Sequence, residues 1–442
     1  MTREPAVIDV EDHEEVVERV GAIDVAKASG KVCTRVPHPS IPGRRLTKMW
    51  DVRTTTSAVM ELADELARQG IQRVVVESTS DYWRPFLYLL EARGLVVWLV
   101  NARDVKQVPG RPKTDKLDAI WLAKLNERGM LRPSFVPPAE IRELRDYTRL
   151  RVDLVADRTR HKQRVEKVLE DALIKLSTVA SDIFGKSGRA MLDALVAGER
   201  DPDALAELAL GKMRPKRAAL REALTGRFDE HHAELISLLL DEIDGLGAKI
   251  DRLTTRVEQL LTTIPAATPP PAPSGSDVDP LDAVGRLDEI TGIGIVAAQA
   301  IIAEVGLDMA QFPTAGHLVS WAKLSPRTIQ SGARNRSART GKGNPYLKRV
   351  LAEAAASVAG TNTFLGERYR RLAKRRGKLK AIVAIARSIL VIVWHLLADP
   401  TARFRDLGSD FYTKSVNTQR RTRNLVHQLE ILGHQVTLSP AA

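Results

Sequence analysis

The chain has 442 residues, 44% hydrophobic and 28% charged, with a formal charge of +12. That length exceeds one ordinary core and predicts two or three domains, and the composition is that of a soluble globular protein. A single cysteine, Cys33, excludes an internal disulfide and a cysteine-clustered zinc site, and the nine histidines are scattered without a ligand spacing.

The acidic start "MTREPAVIDVEDHEE" lacks the pattern of a signal peptide, which points to a cytoplasmic setting. Next, "VGAIDVA" reads as a strand, "KASGK" as a turn, and "VCTRV" as a returning strand. "TKMWDVRT" supplies a third strand, and "SAVMELADELARQG" an amphipathic helix ending at glycine. "IQRVVVEST" is a buried strand, "YWRPFLYLLEARG" a helix, and "LVVWLVN" another buried strand, followed by a helix carrying Asp115 and Asp118. Three strands, helix, strand, helix, strand, helix predicts a mixed sheet with helices on its faces over residues 18–135. This is the element order of the ribonuclease-H fold.

Residues 136–264 read as helical. Leu239, Ile243, Leu246, Ile250, Leu253, Val257, Leu260 and Ile264 alternate steps of four and three, which makes a heptad seam. The seam suits either a contact between two subunits or a fold-back on the helix near residues 140–175; the intersubunit reading is slightly favoured. Residues 265–280, with six prolines, form an interdomain linker. A mainly helical domain is expected over 281–400 and a tail over 401–442. In it, "TGIGIV" places glycines between two helical runs, the pattern of a helix-hairpin-helix that can offer amide N–H groups to phosphate. An ordinary interhelix turn fits those glycines equally well. The apolar run 381–398 contains Arg387 and His395 and reads as a buried helix, not a membrane span.

Charge is concentrated toward the end of the chain. Residues 327–349 carry seven Lys or Arg and residues 368–380 carry eight, with no acid in either. Taking those fifteen from the 67 basic residues leaves 52 against 55 acids. A basic excess confined to two segments points to a polyanion, most simply nucleic acid. Candidate phosphate contacts are Arg334, Arg336, Arg339, Lys342, Lys348, Arg349, Arg371, Lys374, Arg375 and Arg376, with Lys113 beside the acids.

Four acids lie where a charge is costly or paired with another acid. Asp24 interrupts an apolar strand, and Glu77 ends "VVVE". A carboxylate there needs a partner, a hydrogen bond or a metal. Asp115 and Asp118 share one helix face. If the fold gathers the four, each close pair repels by ~4 kcal/mol at ~4 Å and an effective dielectric near 20. Two Mg²⁺ ions, or Mn²⁺ in their place, would balance the charge and suit oxygen ligands. Singly, each acid has a plainer explanation: a strand-end turn for Asp24, a helix cap for Glu77, and dipole-favoured positions for Asp115 and Asp118.

In the C-terminal half, Ser331 precedes Gly332 and a run of arginines. A serine needs an activated target to act as a nucleophile, and arginines can neutralise a phosphate. Locally, a flexible basic loop with Ser331 as a turn residue is the simpler reading.

"GAIDVAKASGKV", "VVVESTSDYW" and "VPGRPKTDKLDA" resemble, in order, the three blocks of the DEDD transposases of bacterial insertion sequences, the insertion-sequence one-ten family. "GIG…SWAKLSP…QSG…GKGNPYLKRVLAEAA" resembles their C-terminal domain. "STSDYW" departs from the glycine that many members carry after the threonine, without touching Glu77. The resemblance implies a RuvC-like ribonuclease-H domain whose metal-binding acids are Asp24, Glu77, Asp115 and Asp118. It implies Ser331 as the nucleophile, ahead of Ser325 and Ser337. It further implies DNA recombination on double-stranded DNA by a homodimer assembling to a tetramer, a structured guide (bridge) RNA, and a site composed from two subunits near the bacterial nucleoid. A metal-dependent nuclease or junction resolvase without a serine step, and a non-catalytic nucleic-acid scaffold, are the rival expectations.

Overall fold

The computed structural model describes residues 16–77, 80–101, 115–268, 281–325, 328–331, 334–337, 340–414 and 418–438. They fall into two compact units, Met1–Val136 and Pro137–Ala442.

The first unit is built on β1 (Val20–Val25), β2 (Ser29–Pro37), β3 (Arg45–Arg53), β4 (Arg73–Glu77) and β5 (Val97–Val100), in the order β3-β2-β1-β4-β5. β2 runs antiparallel to β1 and β3, while β4 and β5 run parallel to β1. Helices α1 (Thr56–Arg68) and α2 (Arg84–Ala92) cover one face, where Leu62, Leu66, Phe86 and Leu90 pack on Ile23, Val74 and Val76. Helix α3 (Asp115–Glu127) covers the other, with Ala119, Leu122 and Ala123 against Ala22, Cys33, Val75 and Val100. With both faces covered, β4 reads as an unbroken apolar run, not an alternation. The start of β2 sits so close to α2 that a Cβ on Gly30 would lie 2.6 Å from the Phe86 ring, so glycine is required there. The predicted element order is therefore found, with the mixed sheet and helices on both faces.

The second unit starts with α4 (Ala139–Asp171), followed by α5 (Leu176–Val179), α6 (Lys186–Val196), α7 (Pro202–Glu207) and α8 (Arg217–Leu224), then α9 (Glu230–Thr263). α9 pairs with α4 of the same chain. Ile243, Leu246, Ile250, Val257, Leu260 and Ile264 of the heptad seam are buried. The seam is thus filled by the fold-back, and the favoured intersubunit reading of it is corrected. Apolar seams do not encode their partner, and α4 is near at hand and matches α9 in length. α5 to α8 form a helical cap on the far end of this pair, around Met191, Leu192, Leu205 and Leu220.

The C-terminal helices are α10 (Ala283–Asp288), α11 (Ile295–Val305), α12 (Ala315–Trp321), α13 (Pro345–Ser357), α14 (Phe364–Arg376), α15 (Lys378–Ala398), α16 (Phe411–Lys414) and α17 (Thr418–Ile431), with a hairpin of β6 (Thr328–Ser331) and β7 (Arg334–Ser337). α15 is long and apolar enough to cross a membrane, but Ala381, Ile385, Ile389, Leu390 and Val393 are buried against its neighbours. The helical pair and the C-terminal helices form one unit, not the two domains expected. Glu304, 1% exposed on α11, explains why. It receives a two-pronged hydrogen bond from Arg149 of α4, at 2.7 and 2.8 Å. Arg145 of α4 donates to the Ala303 and Glu304 carbonyls. Of the expected linker, residues 269–280 lie outside the described residues.

Candidate functional site

The parallel register pairs Ile23 with Val76, so the next residues, Asp24 and Glu77, stand side by side at the C-terminal ends of β1 and β4. Ala22 and Val75, two residues earlier on each strand, pack on α3. Strand alternation therefore puts Asp24 and Glu77 on the α3 face. Glu77 is buried at 7% exposure, and Asp24 is half-buried. Lys31, the register partner of Asp24 on β2, pairs with Asp51 at 2.8 Å.

The direction of α3 decides whether Asp118 belongs with them. Asn126, fully buried near its end, donates to the Gly21 and Arg73 carbonyls at 3.0 and 3.2 Å, at the starts of β1 and β4. Its own carbonyl oxygens accept from Arg73 at 2.7 and 2.9 Å, and the Arg73 guanidinium lies 3.9 Å from the centre of the Trp98 ring. Glu127 accepts from Arg35 of β2 at 2.6 Å. With its C-terminus fixed at the strand starts, α3 runs antiparallel to β1 and β4. Asp118 stands ~12 Å up the helix from Asn126, and Asp24 stands ~10 Å up the strand from Gly21. The three acids therefore reach the same end of the sheet.

Asp115 begins α3, but its side chain, like the whole of Lys113, lies outside the described residues. Among the described residues no group of three His, Cys, Asp or Glu side chains closes into a ready-made metal site. The donor set still fits a hard divalent cation, being carboxylates with no thiol or imidazole. Cys33, on the same face, is buried, and that burial pushes its thiol up to about 11, so it offers no nucleophile.

Replacing Asn126 with Ala is expected to lower the stability of the full chain by about 2–3 kcal/mol, because two buried carbonyls lose a donor and Arg73 an acceptor. A shift in the urea midpoint checks this; an unchanged midpoint would contradict the anchoring role given to Asn126.

In the second unit, Ser331 ends β6 in register with Arg334, the first residue of β7, and Arg336 pairs with Ile329. The expected flexible loop is here a two-stranded hairpin. The side chains of Ser331, Arg334 and Arg336, and all of Arg339, lie outside the described residues.

The "GKGNPYLKR" stretch proves largely structural. Gly343 has φ +55°, and a Cβ would meet the Ala322 carbonyl at 2.7 Å. Asn344 caps α13, accepting from Tyr346 and Leu347, and donates to Glu304. Pro345 follows at the first helical position. Lys348 is half-buried and donates to the Gly341 carbonyl, and burial and nearby Lys323 lower its pKa. Arg349 pairs with Glu353 at 2.9 Å. Lys348 is therefore withdrawn from the free phosphate contact expected of it, while Lys342 and Arg349 are exposed. In α14, Lys374, Arg375 and Arg376 are exposed in the last turn, where cations suit the helix dipole. Arg371 is exposed as well, over the Tyr412 ring at 4.6 Å.

Comparison with known proteins gives matches over both regions. Residues 21–174, spanning Asp24, Glu77, Asp115 and Asp118, match a family model described as a transposase, of the DEDD type of IS110. Residues 284–370, spanning Ser331, match that of the transposase IS116/IS110/IS902 family. The class of protein is a transposase. A relative from Streptomyces coelicolor, the insertion element IS110 uncharacterized 43.6 kDa protein, is 30% identical over 117 residues, which is 26% of this chain and 29% of that protein. The chain belongs to the IS110 family of insertion-sequence transposases.

Proposed function

We propose that the chain cuts and rejoins DNA strands to move an insertion sequence. The observation that carries this is the orientation of α3, which brings Asp118 to the strand ends bearing Asp24 and Glu77. Asp24, Glu77 and Asp118, with Asp115 from the same helix, would hold Mg²⁺, as two ions or with Mn²⁺ in its place. When bound, the metal supplies charge stabilisation at a phosphate.

Ser331 is the nucleophile of this reading. Its Oγ forms a bond to phosphorus as the bond to a deoxyribose oxygen breaks, and the hydroxyl proton ends on that departing oxygen. Joining reverses the exchange with a second DNA end, so ester energy is conserved and no nucleotide triphosphate is consumed. Lys342 and the α14 cations Arg371, Lys374, Arg375 and Arg376 hold the duplex by its phosphates. In this reading the acids of one protomer and Ser331 of another compose the site, in a tetramer that takes a guide RNA. The setting is the cytoplasm, at the nucleoid.

The carboxylate pair in neighbouring register also favours a second reading, in which the acids alone form a metal-dependent nuclease or junction resolvase. That reading needs nothing from the second unit.

Removal of divalent ions is expected to abolish cleavage of DNA carrying the element's termini. Mg²⁺ or Mn²⁺ should restore it, and Ca²⁺ should leave binding in place without restoring cleavage. Cleavage undiminished in EDTA would overturn the role given to the acids in both readings.

A further inference from the structure

The helical cap carries a charge cluster that the function so far does not use. Lys186 opens α6, and Lys212, Arg214 and Lys216 lie in the 3-10 turn Gly211–Lys216. All four are exposed. The turn is seated against the start of α6: the Leu210 amide donates to Ser187 Oγ at 2.9 Å, and Lys216 donates to the Val179 carbonyl at 3.1 Å. Lys186 and Lys212 are thereby on adjoining loops.

Neighbouring acids do not neutralise the cluster. Glu207 is taken by Arg217 at 2.9 Å, and Asp203 by Arg221. Asp182 is used by the Phe184 amide. Among the described residues, none of the four cations has a carboxylate partner. The same-sign crowding is destabilising in isolation and suits a polyanion.

The position is as informative as the charge. The cap closes the end of the α4–α9 pair, where His232 of α9 bonds Asp171 of α4 at 3.0 Å. Arg149, which bonds Glu304, marks where the C-terminal helices join α4. The cluster, however, stands level with the middle of the pair, where Lys162 of α4 lies 4.8 Å from the Phe184 ring and Arg189 of α6 bonds Asp244 of α9. From Arg149 to Lys162, α4 runs about 20 Å at ~1.5 Å per residue. That is the length of about six base pairs at ~3.4 Å each.

We infer that the cap tip is a second nucleic-acid contact, in which Lys186, Lys212, Arg214 and Lys216 bind the phosphate backbone of a duplex running along the α4–α9 pair. The cluster meets it about half a helical turn from where the C-terminal helices join α4. This inference rests on the nucleic-acid-processing reading above.

The test uses the full chain, a 60-bp duplex DNA of random sequence and a 60-nucleotide hairpin RNA, with binding measured from 50 to 300 mM NaCl. One variant is K186Q/K212Q/R214Q, leaving Lys216 to hold Val179. A second is K374Q/R375Q/R376Q. The tip variant is expected to melt like wild type and to flatten the plot of log affinity against log salt by nearly three in slope, at ~0.9 for each of the three lost contacts on duplex DNA. The polymer whose slope falls is the one the tip binds. A tip variant with the wild-type slope on both polymers, while the α14 variant flattens it, overturns this inference and leaves the functional reading standing. Wild type that binds neither polymer overturns both.

Discussion

Asp118→Asn is expected to reduce strand cleavage at least about a thousandfold, corresponding to ~4 kcal/mol of barrier, while DNA binding persists. The substitution keeps shape and removes one negative charge from the end of the sheet. Because Asp24 and Glu77 stand in neighbouring register there, removing a like charge relieves repulsion. Thermal stability should hold or rise, which separates lost chemistry from lost folding. Asp24→Asn and Glu77→Gln should behave alike. Cleavage retained by all three variants would overturn the role given to the acids in both catalytic readings.

Ser331→Ala is expected to remove cleavage to background, on the order of 10⁴-fold or more, since the attacking oxygen of the proposed reaction is lost. Affinity for DNA should change little, because the exposed cations of α14 and Lys342 are untouched. The acid variants and the serine variant should fail alike if they serve one reaction. Cleavage that needs Asp118 and ignores Ser331 would instead match the nuclease reading.

Much of the α/β unit is legible in the sequence because each element carries a local signal. β4 and β5 are apolar runs bounded by glycine, and Thr56–Arg68 has one buried stripe. The neighbourhood of Asp24 and Glu77 follows from the strand order. Asp118 is different. Its place depends on the direction of α3, set by a buried asparagine bonding carbonyls more than fifty residues away in each case. Nothing in "LNERG" announces that. The heptad seam is equally plain, but its partner is not, since α4 and a second copy present similar apolar stripes. Lys348 and Arg349 count as free charges in a sequence and prove to be engaged once Gly341 and Glu353 are beside them. The cap cluster fails in the opposite sense. A balance of 52 basic against 55 acidic residues hides it, because Glu207 and Asp203 cancel Lys212 and Arg214 in a sum but pair with Arg217 and Arg221 in space.

The central claim is that Ser331 becomes joined to DNA. The direct measurement incubates wild type with Mg²⁺ and end-labelled DNA bearing the element's termini, together with RNA transcribed from its non-coding end, and separates the products under denaturing conditions. The account predicts a labelled protein–DNA adduct that survives denaturation, maps to the peptide containing Ser331, and is missing from Ser331→Ala and Asp118→Asn. Free cut ends with no adduct would contradict it.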